Sequence, residues 1–467
     1  MTECLLGLDL GTTTVTGVLL DAGSGEVLSQ SQRRNDGALR PARAGRAEQE
    51  PRRLYSLALE VLAELVATGL SAGSLGRASG LALTGQMHGL LCVDADGRPL
   101  TPLITWQDQR TAEPLPGDTT ALDQIQSRTA DLAWQENGCP MAHGYGAATL
   151  FWLVEQGQLP QGAHQVCTIA GWLAGRLTGR PAVTDPTFAA SWGIYSLVNE
   201  RWNAAFLVRL GLDPRLFPPV RPSGEKLGGL AAGIARTTGL PSGLPVFNAL
   251  GDSQASFLGS VTDPERALLV NLGTGGQVCW RVLEAQTPTA AVETRPLLPR
   301  SFLRVGASLC GGAAYAWLNQ TVRGWLAEFG VSVDEGTVYE QLNRLAMGSD
   351  TSGGLQVRTT FLGVRGDPTV RAGAIEGIRP ENLRLGALAR ATLTGMVDEL
   401  AGLYESQSSN ALHHQQVVAA GGGVWANPLL PSLIEERFGF PVQVLSQREA
   451  SAVGAAVLAA GLVPGYP

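Results

Sequence analysis

Residues 4–21 read CLLGLDLGTTTVTGVLLD, and about half a chain later residues 267–282 read ALLVNLGTGGQVCWRV. Each is a continuous apolar run of the kind a buried strand carries, broken by Leu-Gly-Thr and resumed as β-prone residues. Each therefore reads as strand, Gly-Thr turn, strand. Two such hairpins in one chain point to a duplicated fold. The 467 residues are too many for one core and suit two lobes of roughly 200 to 260 residues facing across a cleft.

Between the hairpins the pattern is α/β. A helix is expected from Pro51 to about Leu65, a strand in GLALTGQMHGLL with a return strand in LLCVDADGRPL, and helices near ATLFWLVEQ and TIAGWLAGRL. A turn-rich stretch, Val220 to Gly243, precedes the strand PVFNAL, and the interlobe crossing is placed near Ser256, giving lobes 1–256 and 257–467. The second lobe is expected to be helical from about Ala313 to Phe329, Ala387 to Glu405 and Ala450 to Ala460, around the strand QVVAAGGGV.

Composition excludes several classes of function. With 34 basic against 41 acidic residues, a net charge of -7 and no basic stripe, the chain does not suit nucleic acid. The Arg-rich stretch from Arg33 to Arg53 carries both signs and reads as a solvated loop and helix start. The amino-terminal apolar run is broken by Asp9 and lacks a basic leader, so neither a membrane anchor nor a signal peptide is expected. Cys4, Cys92, Cys139, Cys167, Cys279 and Cys310 stand singly, as buried thiols of a reducing cytoplasm would. His413 and His414 are adjacent, point apart on a helix, and read as a solvent-facing pair.

Lys226 is the only lysine, and it sits in the loop-like SGEKLGG. Neither a Walker A loop nor a protein-kinase strand lysine can be built around it. A bound nucleotide must then be held by backbone amides, hydroxyls and a metal. Gly-Thr hairpin tips supply closely spaced N–H donors and hydroxyls, which is what phosphates need. Gly11, Thr12 and Thr13 form one tip, with Asp9 before it to reach Mg²⁺ through water, and Gly273, Thr274 and Gly275 form the other. Taken singly, either turn is an ordinary hairpin; paired, with the acid in place, they form a specific pattern.

Two further stretches carry candidate chemistry. VVAAGGGVWANPLL, from Val417, ends a strand in Gly421, Gly422 and Gly423, which lets backbone approach a flat ligand, with Asn427 at a helix start. It reads as an adenosine pocket or as a plain strand-to-helix turn. In NALGDSQASFLGSV, Asp252 opens a helix whose N-terminal dipole favours the ionised carboxylate, as a proton-accepting base requires. Alone it could equally be an N-cap.

Together, DLGTT at Asp9, the second LGT turn, Gly251-Asp252, the AAGGG-to-Asn427 run and EQEP at Glu48 resemble the FGGY carbohydrate kinases across essentially the whole chain. The sugar-side helix of that family is visible as YGAATLFWLVEQ, with Thr149 where most members carry Lys and Gly146 where they carry Pro, Ser or Thr. SLGRASGLALTGQMHGLL, LITWQDQR, GYGAATLFWL and TDPTFAASWG resemble the sedoheptulokinase branch more than the xylulokinase branch. The resemblance implies two actin-like, ribonuclease H-like α/β lobes, each a mixed sheet flanked by helices. It implies MgATP-dependent phosphorylation of a ketose at its terminal hydroxyl, a seven-carbon one by the branch.

Residue by residue, the likeness implies Asp252 as base, and Gln86, Met87 and His88 of QMHG at the sugar. Trp106 and Asp108 of TWQDQR would cap it by stacking and hydrogen bonding. Thr12, Thr13, Thr274, Gly312, Gly422, Gly423 and Asn427 would touch the nucleotide. The implied partners are the sugar and MgATP, with a homodimer left open. Two other readings remain: a pentulose kinase, which shares the nucleotide motifs, and a non-catalytic actin-like ATPase or sugar-binding module, which needs no acid at Asp252. Trp152 and Trp172 are assigned to core.

Overall fold

The computed structural model describes residues 3–71, 78–349, 351–364, 370, 372–407, 414–446 and 448–461. Both quoted stretches are antiparallel hairpins. β1 (Cys4–Leu10) pairs with β2 (Thr14–Asp21), which pairs with β3 (Val27–Arg34). On its other side β1 runs parallel to β4 (Ala78–Gly85). Beyond β4 lie β5 (Lys226–Gly229) at the edge, β6 (Pro245–Phe247), and the short β7 (Leu250–Gly251), which also pairs with β4. The order is β5-β6-β4-β1-β2-β3.

The second sheet repeats the pattern. β8 (Ala267–Leu272) and β9 (Gly276–Val282) form the hairpin, and β10 (Val292–Leu298) and β11 (Ser301–Ser308) extend it. β12 (Gln416–Ala420) and β13 (Val442–Val444) lie parallel to β8. The order is β10-β11-β9-β8-β12-β13. In each sheet an antiparallel set, three strands in the first and four in the second, is followed by two strands that run parallel to the first of the set, so the internal echo in the sequence is a duplicated topology.

Local sequence explains the flanking helices. α1 (Pro51–Ser71) starts with Pro at its first position and buries Leu54, Leu57, Ala58, Val61, Leu62 and Leu65, one face at helical spacing, in the first core. It runs six residues past the predicted Leu65. α2 (Asp252–Ser260) follows β7 directly, α3 (Gly311–Glu328) follows β11, and α4 (Leu385–Glu405) covers the second core. The turn-rich stretch before β6 contains the edge strand β5 and the helix Ala232–Thr238. The predicted return strand, Leu91–Val93, pairs with Gln165–Cys167 rather than with β4.

The last helix, α5 (Ala450–Ala459), departs from the expectation that the second lobe holds everything after Ser256. It packs against α2 and on β1, β4 and β2 of the first sheet. The crossing with α2 is glycine-limited: a Cβ on Gly454 would lie 1.8 Å from the Ala255 carbonyl oxygen, and one on Gly259 2.0 Å from that of Ala450. α2 also joins the two sheets. Leu250, Ala255 and Phe257 share one core with Leu269, Val305 and Val418. A largely apolar helix such as α5 reads only as buried, and nothing in its own residues says against which sheet.

All six cysteines are buried thiols, and Trp152 and Trp172 are buried. His414 corrects an expectation: it is buried, with Nδ1 2.9 Å from the Tyr404 hydroxyl, while His413 lies outside the described residues. Among the described residues no helix is long and apolar enough to cross a membrane.

Candidate active site

The tip of the first hairpin is held by three buried amides. Asn35 Nδ2 donates to the carbonyls of Gly11 and Thr12, each at 3.1 Å, and Gln49 Nε2 donates to Thr12 O at 2.9 Å. Gln86, at the end of β4, donates to Gln49 Oε1 at 2.9 Å. Gln86 is thus a positioning group under the tip. The EQEP stretch supplies its partner. Trp106 donates from Nε1 to Thr12 Oγ1 at 2.9 Å, so a residue expected at the sugar touches one expected at the phosphates.

Asp9 is the penultimate residue of β1, next to this tip. Its Oδ1 is buried with no hydrogen-bond partner. Burial first, then the charges of Asp252 and Glu449, push its pKa up to about 8. The negative charges of Asp252 and Glu449 disfavour a charge on Asp9, and a cation would relieve that repulsion. Among the described residues no group of three His, Cys, Asp or Glu side chains is placed to hold a metal. A hard cation at Asp9 would therefore take its remaining ligands from phosphate oxygens and water, the habit of Mg²⁺. The orphaned Oδ1 fits that role.

Asp252 stands at the first turn of α2, with Gly251 as the cap residue. The helix dipole was expected to favour its charge. Burial outweighs it: desolvation raises the pKa to about 6 even though the Ser253 amide donates to Oδ1 at 2.8 Å. The group is still mostly ionised at pH 7 and close enough to neutrality to accept a proton and release it. Gly251 leaves room beside it for Met87 and Gln254, since a Cβ there would lie 2.6 Å from Met87 Sδ and 2.7 Å from Gln254 Oε1 and would push both side chains aside.

A cavity of about 620 Å³ opens between the lobes, with Met87, His88, Trp106 and Asp252 on one side and Gly273, Thr274 and Gly275 on the other. His88 has φ 68°, an unusual left-handed backbone for a non-glycine residue. It is fixed there by Ser191, whose hydroxyl accepts from the His88 amide at 3.1 Å and whose carbonyl lies 2.6 Å from Nδ1. Its ring stacks on Tyr145, centroids 4.3 Å apart at 16°. Strain held in place by surrounding structure is characteristic of binding sites. The same cavity is lined by Gln254, Glu293 and Arg295, none of which the sequence singled out.

On the far side, the second hairpin tip abuts two glycine-rich turns. Gly312 and Ala313 amides at the start of α3 donate to the carbonyls of Gly273 and Thr274 at 2.8 and 2.9 Å. Gly422 and Gly423 open the short helix Gly422–Ala426, and a Cβ on Gly423 would lie 3.0 Å from Leu272 O. Asn427 is buried in a network: Nδ2 donates to Asn343 Oδ1 at 2.8 Å, and Oδ1 accepts from the Leu429 amide at 3.0 Å.

Asp108 is the clear departure. It is fully buried, with one oxygen accepting from the Arg110 Nε at 2.8 Å and the other from the Ala47 amide at 2.8 Å. Its neighbour Arg110, two residues on, already claims the carboxylate, so it does not line the cavity. The unusual Gly146 has a packing reason: a Cβ there would lie 2.5 Å from the Trp192 ring, so the glycine and the tryptophan of TDPTFAASWG go together. Thr149 is buried.

Two duplicated lobes closing a cavity over a buried acid, with the second Gly-Thr tip lining it and the first bonded to Trp106 at its edge, define a class of two-lobed kinases. The model of the FGGY family of carbohydrate kinases, N-terminal domain, matches residues 4–259, and that of the C-terminal domain matches residues 268–462. The chain belongs to the FGGY family of carbohydrate kinases. It is 30% identical to sedoheptulokinase from Mus musculus, covering 97% of this chain and 96% of that one. It is 25% identical to xylulose kinase from Staphylococcus xylosus, covering 98% and 90%. Among solved structures it matches xylulose kinase from Rhodospirillum rubrum with a TM-score of 0.84 at 25% identity, covering 98% and 90%. Glycerol kinase from Plasmodium falciparum with ADP, at 16% identity, 99% and 90% coverage and TM-score 0.81, shares the fold.

Proposed function

We propose that this carbohydrate kinase transfers the γ-phosphoryl group of MgATP to the terminal hydroxyl of sedoheptulose, giving sedoheptulose 7-phosphate and ADP. The observation that carries the reading is the position of Asp252 in one cavity between His88 and Met87 on one side and the Gly273–Gly275 tip on the other. A sugar lying against His88, Met87 and Trp106 presents a hydroxyl to the carboxylate. The hydroxyl oxygen forms a bond to the γ-phosphorus, the bond from phosphorus to the β–γ bridging oxygen breaks, and the hydroxyl proton passes to Asp252. Gly11, Thr12 and Thr13 face the phosphates from one lobe and Gly273 and Thr274 from the other. Gly312, Gly422, Gly423 and Asn427 border the rest of the nucleotide. Mg²⁺ held through Asp9 neutralises phosphate charge when bound.

Sedoheptulose is favoured by the mouse relative and by the coupled Gly146–Trp192 pair within the stretches that resemble that branch. The lobes divide near Ser256, with α5 returned to the first sheet, and the buried thiols suit a cytoplasmic enzyme. The test is ADP release by purified protein with MgATP against sedoheptulose, xylulose, ribulose, fructose and glycerol, with a no-sugar control. Preference for sedoheptulose is expected. Preference for a five-carbon ketose would keep the chemistry and overturn the substrate, and hydrolysis indifferent to sugar would favour the binding-module reading.

A further inference from the structure

Arg295 stands on β10, in the lobe that carries the second hairpin, yet its side chain reaches the other lobe's side of the cavity. Its Nη1 donates to the Ala190 carbonyl at 3.1 Å and its Nη2 to the Tyr145 hydroxyl at 2.9 Å. Nε donates to Glu293 Oε2 at 2.9 Å, and the pair is 5% and 4% exposed. β10 is tied to its surroundings at two further points. The Thr294 amide donates to the Gly138 carbonyl at 2.9 Å, and Gln254 Nε2 donates to the Pro296 carbonyl at 3.1 Å. Tyr145 in turn is the ring on which His88 stacks.

A buried ion pair is weak evidence for stability, since an apolar pair of the same volume often does as well. This one does something an apolar pair could not: it points a planar fork of donors at acceptors belonging to the opposite lobe. We infer that Arg295 is a positioning residue that couples the second lobe to the sugar side of the cleft, holding Tyr145, and through it His88, in the arrangement that receives the sugar. The inference rests on the proposed function for its kinetic readout and on geometry alone for its structural one. The sugar subsite is then complete only when β10 is seated, which links sugar affinity to the relative position of the lobes.

Tyr145→Phe keeps the stacked ring and deletes only the hydroxyl, while Arg295→Lys keeps the charge opposite Glu293 and loses the fork. Each single variant is expected to raise the sugar KM about tenfold, the usual effect of losing a hydrogen bond to a charged group, and to leave the MgATP KM within about twofold. The double variant should be no worse than the worse single one, because both break the same link. Additive losses, an unchanged sugar KM, or an MgATP KM that rises as much as the sugar KM would overturn the coupling.

Amide hydrogen exchange reads the same link without substrate. Tyr145→Phe should speed exchange at the amides of Gly138, Tyr145 and Thr294 more than at the core amides of β1 and β8. Unchanged exchange there would refute the coupling even if sugar phosphorylation is confirmed. Faster exchange would sustain it even if no sugar in the panel is phosphorylated.

Discussion

Replacing Asp252 with Asn removes the proton acceptor while keeping size and shape. Positioned general bases contribute about 10²- to 10⁴-fold, so kcat should fall by that range, with nucleotide affinity changed less than about twofold. The wild-type pH profile gives an independent magnitude. With a pKa of about 6, about nine tenths of Asp252 is ionised at pH 7 and about one tenth at pH 5. Because the base must be ionised, kcat/KM should lose about tenfold between those two values and about tenfold per unit below. The assay is coupled ADP release at saturating MgATP across pH 4.5 to 8. A variant within tenfold of wild type, or a profile flat down to pH 4.5, would refute Asp252 as the base.

Asp9→Asn should act in opposite directions on activity and stability. Its folded pKa of about 8 lies above the unfolded value near 3.8, so its contribution is fully present below pH 3.8 and fades as pH rises through 8. Ligand-free wild type should therefore lose up to about 1.4 kcal/mol per pH unit over that window from this group. The variant should melt higher than wild type at pH 8, by more than at pH 5, while its Mg²⁺-dependent turnover collapses. Gly454→Ala should destabilise by about 1–3 kcal/mol or more in a denaturant titration, since its Cβ meets the Ala255 carbonyl at 1.8 Å. Trp106→Phe keeps the ring and loses the bond to Thr12, so turnover at saturating substrates should fall several-fold. Lys226→Ala, on the edge strand β5, should leave kcat and both KM values within about twofold.

What could be read in the sequence follows from what is local. The two hairpins were legible because apolar runs meeting LGT report strand and turn through a few adjacent residues. The helix start at Asp252 and the glycine turn before the helix Gly422–Ala426 were legible because each has a short-range signature. The placement of α5 was not, since an all-round apolar helix does not name its partner. The dipole argument for Asp252 had the direction of one effect right, but desolvation, which depends on everything packed around the site, is the larger. Asp108 was misplaced because Arg110 and Ala47 satisfy its carboxylate inside the first lobe. Arg295 left no local trace: its partners Tyr145 and Ala190 are 150 and 105 residues away along the chain.

The most direct measurement is phosphorus NMR of purified protein incubated with MgATP and sedoheptulose, alongside Asp252→Asn. The expected result is a single new phosphomonoester, equimolar with ADP, formed by wild type and reduced by at least a hundredfold in the variant. Inorganic phosphate with no sugar phosphate, or equal phosphoester from both proteins, would contradict the assignment of Asp252 as the base of a ketose kinase.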